Sequence, residues 1–450
     1  MQSFLFIPAL SVATESANHE RACSCSVGGT SNAFIPSRDT SKTIAPSRTN
    51  KSQTSTSRMS SASGRAHLVA SSPSNREGFT PPLLPRSRTS LAEGGSRATC
   101  PPPEPYIEVM KRVLVTGATG FIGYEVAHQL CKHGLRPRLM VRRPSRGALF
   151  ARLPADLVQG DLSRPATLAR AVEGVDTVIH LGARATFEPY ARLRKINVEG
   201  TDRLMEASID AGVERFVFAS SMFVYGSVDS PVTPDTKPIP ELDYGRAKLE
   251  AERRLREVAD HAGIQLASVR LPHVYGPQSI LFHQIRAGLT MFPGSMKNEF
   301  SHLHVEDAAR ALIAVAERGW TGESVVSDYQ SVSWVEFFDV LRAYYPRFHL
   351  LRVPAWFAHM GATALAPLLR LRGGPTMYTR DTIRGFNLHL PAQSGLLWSD
   401  LGIEPRHKSI YEGVPAALDG SLHFRWRNPV FDRQPPTQDH DIFNTLPTRA

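Results

Sequence analysis

From Met110 onward the chain alternates between short apolar runs and longer stretches whose apolar residues recur at helical spacing. "RVLVTG" is a strand-like run ending in glycine, and "YEVAHQLCKHG" behind it has helical spacing with a glycine stop. "RPRLMVRR", "DTVIHLG", "RFVFASS" and "LASVRLP" predict further short strands, rich in β-branched or aromatic residues. Helical stretches, "NVEGTDRLMEASIDAG" and "KLEAERRLREVADHAG", fall between them. Continuous apolar strands alternating with helices imply a parallel sheet covered on both faces, an α/β doubly wound fold. Past Tyr275 the alternation loosens into helices and short strands, which predicts a smaller C-terminal α/β substrate lobe. The expected organisation is an extension over 1–109, a nucleotide-binding domain over 110–275, a substrate lobe over 276–420 and a polar tail over 421–450.

The extension has no sustained period. It is dense in Ser, Thr, Pro and Arg and poor in acids, so it lacks the apolar surface to offset chain entropy and is expected to be disordered. An organelle transit peptide, a solvated tail and translation beginning at Met110 all account for it, and the last is favoured because "MKRVLVTG" reads as a natural start. "MQSFLFIPAL" at the start of the chain lacks the basic region of a secretory signal. The longest uncharged apolar run, "VPAWFAHMGATALAPLL" (353–369), is marginal in length for a span. It is expected to form a buried helix pair of the substrate lobe, with a membrane-surface helix as the alternative.

Composition narrows the function classes. The formal charge is +10, but no basic block or nucleic-acid reader motif accompanies it, so no nucleic-acid partner is expected. Three of the four cysteines precede Met110. Cys131 alone cannot build a disulfide framework or a cysteine zinc site, so no metal centre is expected and a reducing, cytoplasmic setting fits.

"TGATGFIG" sets Gly117, Gly120 and Gly123 directly after a strand and at the opening of a helix. The first glycine permits the tight turn, the second lets a pyrophosphate approach the backbone, and the third lets the helix pack close to the sheet. Thr119, Phe121 and Ile122 complete this candidate cofactor-binding turn. The spacing TGxxGxxG resembles that of the extended short-chain dehydrogenase/reductase superfamily. The likeness runs from about Lys111 to about Leu418, with several motifs in the expected order. It implies a Rossmann-type fold, a bound dinucleotide and a small-molecule substrate. Many relatives pair through a helix bundle, so a homodimer is the oligomer it suggests.

The end of the second strand reads the adenosine ribose: an acid there suits NAD, an arginine the extra phosphate of NADP. This chain has Arg142 and Arg143 there, with Arg146 nearby and no acid, so NADP(H) is expected over NAD(H). Asp161, in "QGDL" ahead of Leu162, resembles the family residue that contacts adenine. Leu181, Gly182 and Ala183, in "IHLGARA", are expected to line the cofactor, with His180 as a packed core residue. Pro272 and His273, in "RLPHVYGP", resemble the segment that closes over the nicotinamide.

"DYGRAKLEAE" sets Tyr244 and Lys248 four apart at the start of a helix, hence on one face. A phenol with an ordinary pKa near 10 is a poor proton carrier at neutral pH, and an adjacent ammonium favours its ionised form. In the family this lysine also reaches the nicotinamide ribose. Counting back four residues from Tyr225 of "VYG" places the family's active hydroxyl at Ser221, with Ser220 the less favoured neighbour. Asn197, in "INVEGT", resembles an asparagine that helps hold the lysine's water; serving backbone geometry alone is the competing role. Asp307 is expected to cap a helix rather than catalyse.

The resemblance alone does not fix the substrate. Sugar-nucleotide 4,6-dehydratases carry an Asp–Glu pair after the hydroxyl residue, and here Met222 and Phe223 stand there, which argues against dehydration. A simple NADP(H)-dependent reductase or dehydrogenase, similar to the dihydroflavonol reductase and 3β-hydroxysteroid dehydrogenase group, is the leading reading. A nucleotide-sugar epimerase with tightly held NAD, for which only Arg286 offers a diphosphate contact, and a non-catalytic dinucleotide sensor are the alternatives.

Overall fold

The structure, a computed structural model, describes residues 110–371 and 379–421. The expectations for the 1–109 extension and for most of the 421–450 tail fall outside the described residues.

The first part of the chain runs β1 (Val113–Thr116), α1 (Phe121–Lys132), β2 (Arg138–Val141), β3 (Asp156–Gln159), α2 (Leu168–Val172), β4 (Thr177–His180), α3 (Tyr190–Asn197), α4 (Glu199–Asp210), β5 (Arg215–Ser221), α5 (Asp243–Ala262) and β6 (Gln265–Leu271). It continues with β7 (His273–Tyr275), α6 (Ile280–Arg286), β8 (Leu289–Pro293), β9 (Glu299–Phe300), β10 (His302–His304), α7 (Val305–Arg318), β11 (Gly322–Val325), β12 (Val332–Ser333) and α8 (Trp334–Tyr344). The last elements are β13 (His349–Val353), α9 (Ala355–Leu371), α10 (Arg380–Asn387), α11 (Leu396–Asp400) and α12 (Ile410–Asp419).

Seven parallel strands form the main sheet in the order β11-β6-β5-β4-β1-β2-β3. Period-two alternation divides the strand residues between its two faces. Val113 and Val115 of β1 join the core under α1 and α7, while Leu114 between them joins the core under α2, α4 and α5. Strand order reverses between β1 and β4, and in a sheet of this topology the crevice beyond that reversal is where a ligand sits.

The sheet draws on both sides of residue 275. β11 pairs with the edge of β6, and α7 lies in the same core as α1. A third core, built on Phe292, Phe300, Trp334, Phe337 and Phe338, fills the part of the chain past Tyr275 and also takes in Met222, Val224 and Tyr225 from the turn after β5. β3 has no counterpart among the strands expected from sequence. It is an edge strand with three exposed residues, so its apolar signal is weak.

The run 353–369 departs from expectation. It forms one helix, α9, rather than a buried pair, and Trp356, Phe357 and Met360 are 65%, 55% and 56% exposed. An apolar run fixes that a helix forms, but whether anything packs over it depends on the rest of the fold. Among the described residues no helix is long and apolar enough to cross a membrane.

Candidate active site

The glycine turn has the close contacts its spacing implies. Gly117 has φ of +68°, and a Cβ there would lie 2.7 Å from the backbone of Leu181 and Gly182. Only glycine lets the loop after β1 touch the loop after β4 this closely. A Cβ on Gly123 would run into the Gly117 carbonyl, so α1 starts directly against the turn. Gly120 precedes α1 without a side-chain cap, and a Cβ on it would meet only the Gly117 oxygen, at 3.1 Å. Thr119 is exposed and Phe121 and Ile122 are half-buried at the mouth of this turn. An uncapped helix start beside bare glycine backbone fits a pyrophosphate, which takes its hydrogen bonds from free N–H groups.

Thr116 links the two loops: its Oγ1 accepts the Gly182 N–H at 3.1 Å and meets His180 Nδ1 at 2.6 Å. His180 Nε2 meets Thr201 Oγ1 at 3.0 Å. Burial holds the imidazole down at about 3, so it is a neutral, fully engaged core residue. Leu181 and Ala183 are half-buried beside Gly182. Asn197 donates to the Arg184 carbonyl at 3.1 Å and accepts the Arg184 N–H at 2.7 Å, so its amide holds the loop leaving β4.

Arg142 and Arg143 follow β2 and are exposed. Asp161 accepts from the Ser163 N–H at 2.9 Å and from its hydroxyl at 2.7 Å. Burial raises this carboxyl, but the Ser163 donors and the nearby Arg142 and Arg164 outweigh it and leave it below its ordinary value. Leu162 beside it is buried.

The second half of the site sits on α5. Lys248 is buried, donates to the Ala219 carbonyl at 2.7 Å and lies 4.4 Å over the Phe218 ring. Burial lowers its ammonium to about 8, against a raising influence from Glu252. Tyr244, one turn earlier, is half-buried with Phe187 and Phe223, whose ring centroids each stand 6.3 Å from its own. Burial raises its phenol above the ordinary value. The expected lowering by Lys248 is not what governs the phenol here, because that ammonium is committed to the end of β5 and desolvation dominates.

Ser221 closes β5 and is buried, and its Oγ accepts the Phe223 N–H at 3.3 Å. The Oγ of neighbouring Ser220 is buried with no hydrogen-bond partner among the described residues. The turn 222–224 packs hard on α5: a Cβ on Gly245 would collide with the Phe223 carbonyl. Pro272 is half-buried after β6. The His273 ring contacts Trp334 and Phe337 at 4.8 and 5.7 Å between centroids, and its Nδ1 meets His302 Nδ1 at 2.9 Å. Burial lowers it to about 4.

Sequence reading missed one element of this region. Glu252, the next residue along the Tyr244–Lys248 face, is fully buried and receives Arg270 at 3.1 and 2.7 Å, while Arg270 also donates to the Tyr225 hydroxyl at 2.8 Å. The signal was present as a third polar residue at four-residue spacing on α5.

Residues 113–326 match the NAD dependent epimerase/dehydratase family. That match spans just under half of the 450 residues, and curated relatives of this part of the chain include epimerases and hydroxysteroid dehydrogenases. UDP-glucose 4-epimerase of Vibrio cholerae is 28% identical over 243 residues, 50% of this chain and 73% of the relative. The 3-beta-hydroxysteroid dehydrogenase of Mycolicibacterium neoaurum is 32% identical over 225 residues, 46% of this chain and 61% of the relative. Another curated relative is matched over 54% of its length, so the likeness does not reach every relative end to end. The solved structure of MoeE5 in complex with UDP-glucose and NAD superposes with a TM-score of 0.57 at 27% identity, covering 70% of this chain and 99% of that one.

Proposed function

We propose that the chain is an NADP(H)-dependent oxidoreductase that moves a hydride between nicotinamide and a carbonyl or alcohol carbon of a small-molecule substrate. One observation carries the reading: Tyr244 and Lys248 share a face of α5, and Lys248 is bonded to the strand that ends in Ser221. A bound dinucleotide would supply the hydride or accept it at C4 of its nicotinamide. Ser221 would orient the substrate oxygen, and Tyr244 would give or take the proton on that oxygen. Burial keeps the phenol protonated in the empty site, the form from which carbonyl reduction would start. Lys248 would turn from Ala219 toward the ribose when the crevice fills. The backbone around Gly117, Gly120 and Gly123 would hold the pyrophosphate, with Asp161 and Leu162 toward adenine and Leu181 to Ala183 beneath the nicotinamide half.

Arg142 and Arg143 support NADP(H), since both are exposed beyond β2 and guanidinium groups suit a phosphate dianion. Nucleotide-sugar epimerisation on bound NAD is the second reading, favoured by the likeness to the V. cholerae epimerase and to MoeE5. Arg286 gives it little support, because that side chain pairs with His283 on α6 at 3.3 Å. Met222, buried and apolar, speaks against dehydration. The exposed Trp356, Phe357 and Met360, with Arg352 ahead of α9 and Arg380 beyond it, support contact with an anionic membrane surface. Free Cys131 fits a reducing, cytoplasmic setting.

Fluorescence titration of the full chain with NADPH and with NADH tests the cofactor assignment. Tighter NADPH binding, followed by turnover on a carbonyl panel, is the expected result. NAD preference, or a co-purifying dinucleotide that resists exchange, moves epimerisation to first place.

A further inference from the structure

Away from Tyr244, three ligating side chains converge where β10 hands over to α7. His304, Glu306 and His407 each offer a ligand atom, and these atoms lie within 4.8 Å of one another. We propose that they form a binding site for a divalent transition-metal ion of the zinc type.

The first ligand is set by the strand. His304 ends β10, paired with Tyr275 of β7, and is 2% exposed. It caps α7, its Nδ1 accepting the Glu306 N–H at 3.4 Å. Among the described residues Nε2 is buried with no hydrogen-bond partner, a costly state for a dry polar atom. While Nδ1 accepts, Nε2 carries the ring proton, so ligation would move that proton to Nδ1 and exchange the long 3.4 Å cap for a metal bond.

The second is held from behind. Buried Asp307 accepts the main-chain N–H groups of Arg406 and His407 at 2.5 and 3.0 Å and meets His407 Nδ1 at 2.8 Å. With its Nδ1 proton on Asp307, His407 keeps a free lone pair on Nε2. A carboxylate behind a histidine is the arrangement that fixes the tautomer and orientation of metal-bound imidazoles. The two rings lie 4.2 Å apart between centroids.

Glu306 is half-buried and pairs with Arg406 at 3.1 Å, so it supplies negative charge and a side open to water. Two imidazoles and one carboxylate suit zinc and its neighbours; magnesium and calcium take oxygen ligands. Tetrahedral zinc with bonds near 2 Å needs ligand atoms about 3.4 Å apart, which small side-chain rotations reach from the present spacing. The positive end of α7 and Arg406 oppose a cation, and Glu306 together with Asp307 offsets them. Bound metal would clamp the segment around Arg406–Lys408 onto α7, the helix whose Glu306 carbonyl accepts from Gln129 on α1 at 2.9 Å.

The test is a titration of the chelator-stripped full chain with Co²⁺ and Zn²⁺, following cobalt d–d absorption and calorimetric heats. Wild type is expected to take up one tightly held equivalent with a tetrahedral cobalt spectrum. His407→Gln and Glu306→Gln, each with an unchanged circular dichroism spectrum, are expected to weaken that binding by about tenfold or more. His389→Gln, a histidine outside the site, is expected to leave it intact, and the cysteines upstream of Met110 would give a thiolate spectrum instead. Absence of a stoichiometric equivalent in wild type, or wild-type affinity in both site variants, overturns the proposal. If a variant fails to fold, a rise in wild-type melting temperature with Zn²⁺ supports the site and no rise overturns it.

Discussion

Lys248 Nζ donates to the Ala219 carbonyl at 2.7 Å, which fixes α5 to the strand that ends at Ser221. The proposed proton carrier and substrate-orienting hydroxyl are therefore held on two packed elements that this buried ammonium also links.

Tyr244→Phe removes the proposed proton donor and keeps the ring that packs between Phe187 and Phe223. Turnover should fall by about a hundredfold or more. NADPH affinity should remain near wild type in the same fluorescence titration. Unimpaired turnover would refute the assignment.

Lys248→Met should change the pH dependence of stability. Burial lowers the lysine from 10.5 to about 8, so between those values the unfolded chain holds the proton that the folded chain has lost. Wild-type stability should therefore gain from rising pH over about 8 to 10.5, by about 3 kcal/mol in all, while the variant lacks this gain. Urea unfolding of both proteins at pH 7, 9 and 10.5 measures the difference, and parallel profiles would contradict the buried ammonium.

Arg142→Ala together with Arg143→Ala should weaken NADPH binding by about tenfold or more, the loss of at least one charge-assisted hydrogen bond. NADH binding should hardly change. Equal losses for both dinucleotides would remove these arginines from phosphate recognition.

Trp356→Ser with Phe357→Ser removes exposed apolar surface and leaves the buried core untouched. Wild type should co-sediment with vesicles containing anionic lipid, less so at high salt, and the double variant should stay in the supernatant. Co-sedimentation unaffected by the substitutions would discard the membrane reading.

The sheet was legible because its strands are short continuous apolar runs punctuated by glycine, and burial on both faces demands such runs. β3 escaped because an edge strand with exposed residues carries no such signature. The glycine turn and the Tyr244–Lys248 pair were legible because local spacing alone places them. Glu252 was marked by its four-residue spacing from Lys248, but its pairing with Arg270 and the convergence of His304 with His407 were not legible, because those partners stand apart in sequence and meet only through the topology. The exposure of α9 was misread for the opposite reason: composition says how apolar a helix is, not what covers it.

β11 completes the main sheet only after the chain has passed through β7 to β10 and α7. The two lobes are thus stitched by a returning thread, and no single cut frees either. A protein ended at Tyr275 would leave the β6 edge bare, strip α7 from the face it shares with α1, and deprive Arg270 of the Glu323 carboxylate 3.8 Å away. An insertion in the lobe before β11 would lengthen that thread without severing it. That lobe can therefore be re-tailored while the crevice at the strand reversal keeps its shape.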